Sequence, residues 1–255
     1  MSSKWPWDHV YVLNLDKDKE NWINMKKQLK KLKIKAERFS AVYGIKKFKY
    51  GDEVIKAKTT NEKWLLIEKM NDELKKDGHV SEEVGSKYPY MRPGELGHLT
   101  SFLRIFQDAL KKNYQTILVL EDDCQFISNF RDKFFKSYNE LPDDWSLFYL
   151  GVNQIHLDVT PKPKQISEHI CKLQGVQPKN PKKSYKKGGI YGTHAMLLKR
   201  HAIKEWLVKA HPFKMASDII MGKLDTQYER IKSYYGCHQL VSETSTIDNS
   251  STRKI

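Results

Sequence analysis

An apolar run, TILVL (116–120), stops abruptly in Glu121-Asp122-Asp123, and these three adjacent carboxylates are the sharpest chemical feature of the chain. Like charges side by side repel, and desolvating them is costly. A divalent cation removes that cost, and hard oxygen donors suit Mg²⁺ or Mn²⁺. A cation so held would in turn bind a diphosphate. Asp123 is the first candidate for direct ligation, with Glu121 beside it and Asp122 within reach of the same ligand. His238 is a candidate third metal ligand, and His194 a candidate contact for whatever is bound. A continuous apolar run is what a central parallel strand requires. In open α/β sheets the ligand crevice lies at the carboxyl ends of such strands, which is where the three acids fall.

A second constellation competes. His156-Leu157-Asp158, with His211 about fifty residues on, has the make-up of a two-His, one-carboxylate iron site of a non-haem oxygenase. That chemistry belongs to a β jelly roll, whereas strands and helices alternate in this chain.

Composition narrows the classes further. Across 255 residues, 45 Lys and Arg stand against 31 Asp and Glu, a net charge of +14, and only seven of the 45 are Arg. Base readout and bidentate phosphate clamps favour Arg, so a Lys excess reads as a solvated surface that still attracts anions. A basic nucleic-acid- or anion-binding module is the non-enzymatic alternative, its charge supplied by 26–35 and 162–187. No single-strand aromatic motif, zinc knuckle or helix-turn-helix is legible, so no specific nucleic-acid partner is expected. A hydrophobic content of 39% excludes a disordered chain. No run approaches the ~20 apolar residues that cross a bilayer, so no transmembrane segment is expected. Met1–His9 lacks the apolar stretch of a secretory leader. Cys124, Cys171 and Cys237 are too few and too scattered for a disulfide framework, which points to a reducing, cytoplasmic setting.

The elements that must position the acids follow from periodicity. HVYVLNL (9–15) reads as a buried strand. Trp22 to Leu32 reads as an amphipathic helix with a basic outer face, and Ile34–Phe39 as a second strand. Strand, helix, strand in about thirty residues is a βαβ unit, hence an α/β fold with a mostly parallel sheet. Residues 45–90 read as loop except for a helix over 62–76. Pro93 opens a stronger helix, with Leu96, Leu99, Leu103, Phe106 and Leu110 on one face. Phe130–Tyr138 reads as helix and Trp145–Leu150 as strand. Residues 160–189, rich in Pro and Lys, read as a long surface loop around a short helix near Ile170, one that covers or selects an acceptor. Ile190–Leu198 reads as strand, 200–210 and 215–228 as helices, and Tyr234–Val241 as strand. A polar tail closes the chain at 245–255. No internal repeat is present, and strands resume beyond the lysine-rich loop, so 1–255 is expected to be a single domain.

Several segments together resemble glycosyltransferase family 25, the group of lipooligosaccharide and collagen galactosyltransferases. VYVLNLDKDKENW is similar to its opening strand and turn, and RFSAVYG (38–44) to the segment that follows. PGELGHLTSF (93–102) resembles its helix start, and ILVLEDDCQF (117–126) its acidic motif. YLG (149–151), GTHAMLLKRHAI (192–203) and SDIIMGKL (217–224) are similar to its later segments. The chain departs from the family pattern at His98, where the pattern has Cys, at Phe102, where it has His, and at Met196, where it has Tyr. Asn21 falls near the pattern's second Arg.

The resemblance implies a GT-A type, Rossmann-like fold and Mn²⁺ dependence. It also implies transfer of a sugar from a UDP-sugar donor to an acceptor hydroxyl on a glycan or glycoprotein. The chemistry agrees, because breaking an anomeric C–O bond leaves a diphosphate of growing negative charge that a carboxylate-held metal neutralises. On this reading Asn14, Leu15, Asp16, Arg38 and Gly44 contact the nucleotide, Glu95 and Ser101 belong to the substrate-facing helix, and Asp122 reaches the ribose or a metal-bound water. An inverting enzyme needs a carboxylate to take the acceptor proton. Asp218, matching the family's late Asp, is the candidate base.

Overall fold

β1 (His9–Asn14), α1 (Lys19–Leu32) and β2 (Glu37–Ser40) form the expected opening unit in the computed structural model, with β1 and β2 parallel. The structure describes residues 4–81, 91–152, 154–155, 164–172 and 190–243. α2 (Gly44–Lys47), α3 (Gly51–Lys56) and α4 (Thr60–Lys76) follow, and then α5 (Pro93–Lys111). β3 (Thr116–Glu121), β4 (Cys124–Phe126), α6 (Phe130–Asn139) and β5 (Leu147–Gly151) come next. The remaining elements are β6 (Gln154–Ile155), β7 (Lys164–Gln165), β8 (Ile170–Lys172), β9 (Ile190–Tyr191), β10 (Ala195–Lys199), α7 (Arg200–Ala210), α8 (Ser217–Thr226), β11 (Ser233–Gly236) and β12 (Val241–Glu243).

Eight strands form the central sheet in the order β2-β1-β3-β10-β5-β11-β8-β7. Six of them run one way, and β10 and β8 run against them. The expected mostly parallel α/β architecture is therefore present. The pleat explains why the central strands read as unbroken apolar runs. Tyr11, Ile117, Val119, Met196 and Leu198 enter the core that α5, α7 and α8 cover. Val10, Val12, Leu118, Leu120, Ala195 and Leu197 enter the core under α1 and α6. A strand buried on both faces has no polar side to show.

Five local expectations are corrected. Residues 44–56 carry α2 and α3 where loop was expected. The fully buried Val54 ties this stretch to the core, and one anchor makes no period. Around Ile170 there is no helix but the β7–β8 hairpin, closed by Ile166 N–H donating to the Ile170 carbonyl at 2.8 Å. The run 190–198 breaks at Gly192, whose φ of +107° ends β9 before β10 begins. Residues 234–241 divide into β11 and β12 across a turn, and β12 pairs with β4 beside the acidic trio. The cysteines are the fifth, because Cys171 and Cys237 are joined in a disulfide and only Cys124, buried, is free. Disulfides persist in oxidising surroundings, so the ground for expecting a reducing cytoplasm is gone.

The disulfide closes 66 residues of chain between β8 and the end of β11. Constraining a loop of that length in the unfolded ensemble stabilises by about 2–4 kcal/mol. A Cys171→Ser/Cys237→Ser double variant is expected to lose that much in urea unfolding, with an unchanged midpoint contradicting the pairing. Excising 162–187, the span expected to be a plain surface loop, would remove β7, β8 and this bond together. Most of that loop, like the 245–255 tail, lies outside the described residues. No described helix is long and apolar enough to cross a membrane.

Candidate active site

Parallel register sets Leu13 beside Glu121 and Asn14 beside Ser40, so the carboxyl ends of β2, β1 and β3 make one rim. Asn14 sits beneath it, only 1% exposed. Its side-chain amide donates to Asp122 Oδ2, and also to the Asp18 carbonyl at 2.9 Å. Its Oδ1 accepts from Arg38 Nε at 2.6 Å. The Arg38 guanidinium continues to Asp16 Oδ1 at 2.7 Å, and Ser40 Oγ donates to Asp16 Oδ2 at 2.9 Å. Four residues expected to contact substrate, Asn14, Asp16, Arg38 and Asp122, thus form one hydrogen-bonded chain across three strand ends.

Glu121 takes the other side. Strand alternation sends it to the face of Ile117 and Val119, toward α5 and α8. There Glu121 Oε1 accepts from Thr193 Oγ1 at 2.8 Å and lies 3.3 Å from His98 Nε2. His98 Nδ1 is 2.8 Å from Ser217 Oγ, at the first turn of α8. Asp218 follows, and its carboxylate accepts from Ile219 N–H at 2.8 Å and from the Gly192 backbone N–H.

Electrostatics separates these carboxylates. Burial pushes Asp122 up to about 6; the Asn14 bond opposes the rise, while the charges of Asp123, Asp18 and Glu121 add to it. Hydrogen bonds from Arg38 and Ser40 hold the Asp16 carboxyl below the usual carboxylate range. Burial would raise Glu121, but His98 and the Thr193 hydroxyl reverse this and hold it low. For His98, burial works to lower the imidazole, and Glu121, with the charges of Asp218 and Asp123, more than offsets it. Asp218 is raised by burial, against the bonds from Ile219 and Gly192.

The donor set fits a hard divalent cation, in an open form. Among the described residues, Glu121, Asp122, Asp123, His194 and His238 do not bring three ligand atoms within 4.8 Å of one another. Mg²⁺-like ions commonly take one or two protein carboxylates and complete their shell with phosphates and water. Asp122 and Asp123 would supply that pair, and the neighbouring carboxylate charge that adds to the rise of Asp122 is what a cation would neutralise. Among the described residues the group that does converge, Glu140, Glu168 and His169, lies by the β7–β8 hairpin.

The sequence model of glycosyltransferase family 25 (LPS biosynthesis protein) matches residues 7–221. The chain belongs to glycosyltransferase family 25. Procollagen galactosyltransferase 1-B of Xenopus laevis is 26% identical over 167 residues, which is 63% of this chain and 24% of that protein. A glycosyltransferase 25 family member of Anopheles gambiae is 27% identical over 152 residues, 56% of this chain and 21% of that protein. The chain thus spans about a quarter of the length of these relatives. Among solved structures, apo mouse xyloside xylosyltransferase 1 aligns over 88% of this chain and 83% of that one, at 12% identity and a TM-score of 0.36.

Within this family 25 chain the other expected site residues are dispersed. Leu15 stands half-buried just past β1, at the rim. Gly44, Glu95 and Ser101 make the packing and capping contacts that follow. A Cβ on Gly44 would overlap the Pro93 carbonyl, so backbone meets backbone where α2 crosses α5. Glu95 accepts from the Arg92 N–H at 2.9 Å and the Arg92 guanidinium at 2.7 Å, capping α5. Ser101 is fully enclosed, accepts from Val42 N–H at 2.8 Å and donates to the Gly97 carbonyl at 2.7 Å. His194, 1% exposed, lies with Nε2 3.5 Å from the Val241 carbonyl, where Gly151 leaves room for both. His238 stands exposed on the turn before β12. His156 and Asp158 lie outside the described residues. The remaining residue of that constellation, His211, is exposed beside His79. Sequence reasoning missed His98, Thr193, Ser217 and Gly192. The pleat offered one signal, since Glu121 is in phase with Ile117 and Val119 and out of phase with Asp122.

Proposed function

We propose that this chain transfers a hexose, galactose or glucose, from a UDP-sugar to an acceptor hydroxyl on a glycan or protein, with inversion. The observation that carries the reading is the hydrogen-bonded rim from Asp122 through Asn14 and Arg38 to Asp16, set at the carboxyl ends of β1–β3. A nucleotide site needs such fixed polar groups at this edge of the sheet. Asp122 and Asp123 would hold Mn²⁺ or Mg²⁺, which supplies neutralising charge for the departing diphosphate.

The chain's own residues account for the remaining steps. Arg38, clamped between Asn14 and Asp16, and the exposed Asp16 carboxylate orient the nucleoside. Asp218 accepts the proton of the acceptor hydroxyl as its oxygen bonds to the anomeric carbon. The C–O bond to the diphosphate breaks, and its electron pair leaves with the diphosphate. A base raised by burial suits the task, because its proton affinity moves toward the working pH.

The test is a panel of UDP- and GDP-sugars with Mn²⁺, scored for nucleoside diphosphate release and for the anomeric configuration of the product. UDP-galactose or UDP-glucose is expected to turn over, with inverted product. Turnover of GDP-sugars alone, or none with any donor, would overturn the reading.

A further inference from the structure

We propose that His98 is a positioning residue, a brace that fixes the helix carrying Asp218 against β3, and that Glu121 serves this brace and not the cation. The proposal rests on the reading of Asp218 as the base and of Asp122 and Asp123 as the cation pair. His98 reaches two elements at once, Ser217 Oγ on α8 at 2.8 Å and Glu121 Oε1 on β3 at 3.3 Å. A carboxylate can only accept, so Nε2 carries the proton toward Glu121. Ser217 then completes Nδ1 from the other side, and both ring nitrogens are satisfied.

The same Glu121 oxygen accepts from Thr193 at 2.8 Å, which draws in the link between β9 and β10. That link also supplies Gly192 N–H to the Asp218 carboxylate. Four elements, α5, β3, the β9–β10 link and α8, thus converge on two side chains, and Asp218 is attached to the resulting frame through its neighbour Ser217 and through Gly192 N–H. Glu121 is occupied by this frame on the α5–α8 face, whereas Asp122 is held by Asn14 at the rim. The pleat turns Glu121 to the scaffold face and Asp122 to the rim, and Asp123 follows in the turn beyond the strand. A displacement of about 1 Å at a reacting group can cost about 10²-fold in rate, which is the scale on which such a brace matters.

The test compares His98→Ala, His98→Gln, Glu121→Gln and Asp123→Asn with the full chain. His98→Ala is expected to lower kcat about 10- to 100-fold while the donor KM stays within about threefold. His98→Gln, whose amide can donate to Glu121 and accept from Ser217, is expected to recover most of the loss. Glu121→Gln is expected to keep its affinity for Mn²⁺ in the presence of UDP, read by electron paramagnetic resonance, whereas Asp123→Asn loses about tenfold or more.

Amide hydrogen exchange over the first turn of α8 is expected to quicken in His98→Ala and not in His98→Gln. That readout needs no turnover. A wild-type chain that is inactive with every donor, yet shows this exchange pattern, fails the functional reading and keeps the brace. Unchanged exchange in His98→Ala overturns the brace. So does a Mn²⁺ affinity that falls as far in Glu121→Gln as in Asp123→Asn. If His98→Ala does not fold, His98→Gln and Glu121→Gln decide the matter by the same measurements.

Discussion

Asp218→Asn is expected to lower the rate of sugar transfer by about 10²- to 10⁴-fold, the range that a positioned general base supplies. Asparagine is nearly isosteric, and its carbonyl oxygen can still accept from the Ile219 and Gly192 N–H groups that hold the native side chain. Helix α8 therefore keeps its start, and the donor KM stays close to that of the parent. What is lost is the oxygen proposed to take the acceptor proton. The pH profile carries the same information with a definite sign. The base works as the carboxylate, so kcat/KM climbs with pH through the Asp218 titration, and burial places that limb above the ordinary carboxylate range. In Asp218→Asn the residual rate loses this limb. Rates followed by nucleoside diphosphate release across pH decide it. A variant with the parent's rate and the parent's acid limb removes Asp218 from the chemistry.

Asp123→Ala has the second large expected effect, a loss of about 10²- to 10³-fold in Mn²⁺-stimulated turnover, the scale of removing one electrostatic contact to a developing charge. Asp122 alone cannot compensate, because its carboxylate is already tied to Asn14 and is pushed up to about 6 by burial and its acidic neighbours. Removing Asp123 also removes one of those neighbours, so Asp122 is expected to ionise more readily in the variant while the proposed cation pair is gone. Titration with Mn²⁺ at fixed UDP-sugar separates weaker binding from slower chemistry. Stimulation of Asp123→Ala to the parent's full rate would displace the cation from this rim, as would a crystal soaked with manganese and sugar nucleotide in which both settle away from residues 121–123.

The order of elements was legible in the chain because each central strand is buried on both faces. Such strands print as short apolar runs: TILVL ends at Glu121 and LFYL at Gly151. The helices between them print the 3.6-residue period. Legibility failed where an element is held by its partner and not by its own pattern. β8 and β12 are three residues each and exist because β11 and β4 offer them hydrogen bonds. α3 is anchored by one buried valine. The disulfide joins cysteines 66 positions apart that share no motif, and only the β11–β8 pairing brings them together.

For the site, the residue types and their location followed from the sequence alone. Acids that end an apolar strand must lie at a sheet's rim, since neither charge nor chain direction allows another place. The division of labour among them was decided by the tertiary structure. The pleat turned Glu121 toward His98 and Thr193 and away from Asp122, and the sheet order put Asn14 and Arg38 beside Asp122. Gly44, Glu95 and Ser101 lie in two matching segments, and the contacts they make depend on what crosses them in space. A linear chain specifies which groups are available and how often they recur along an element. Which oxygen faces which nitrogen depends on partners tens of residues away, and only the assembled sheet and its covering helices set those distances.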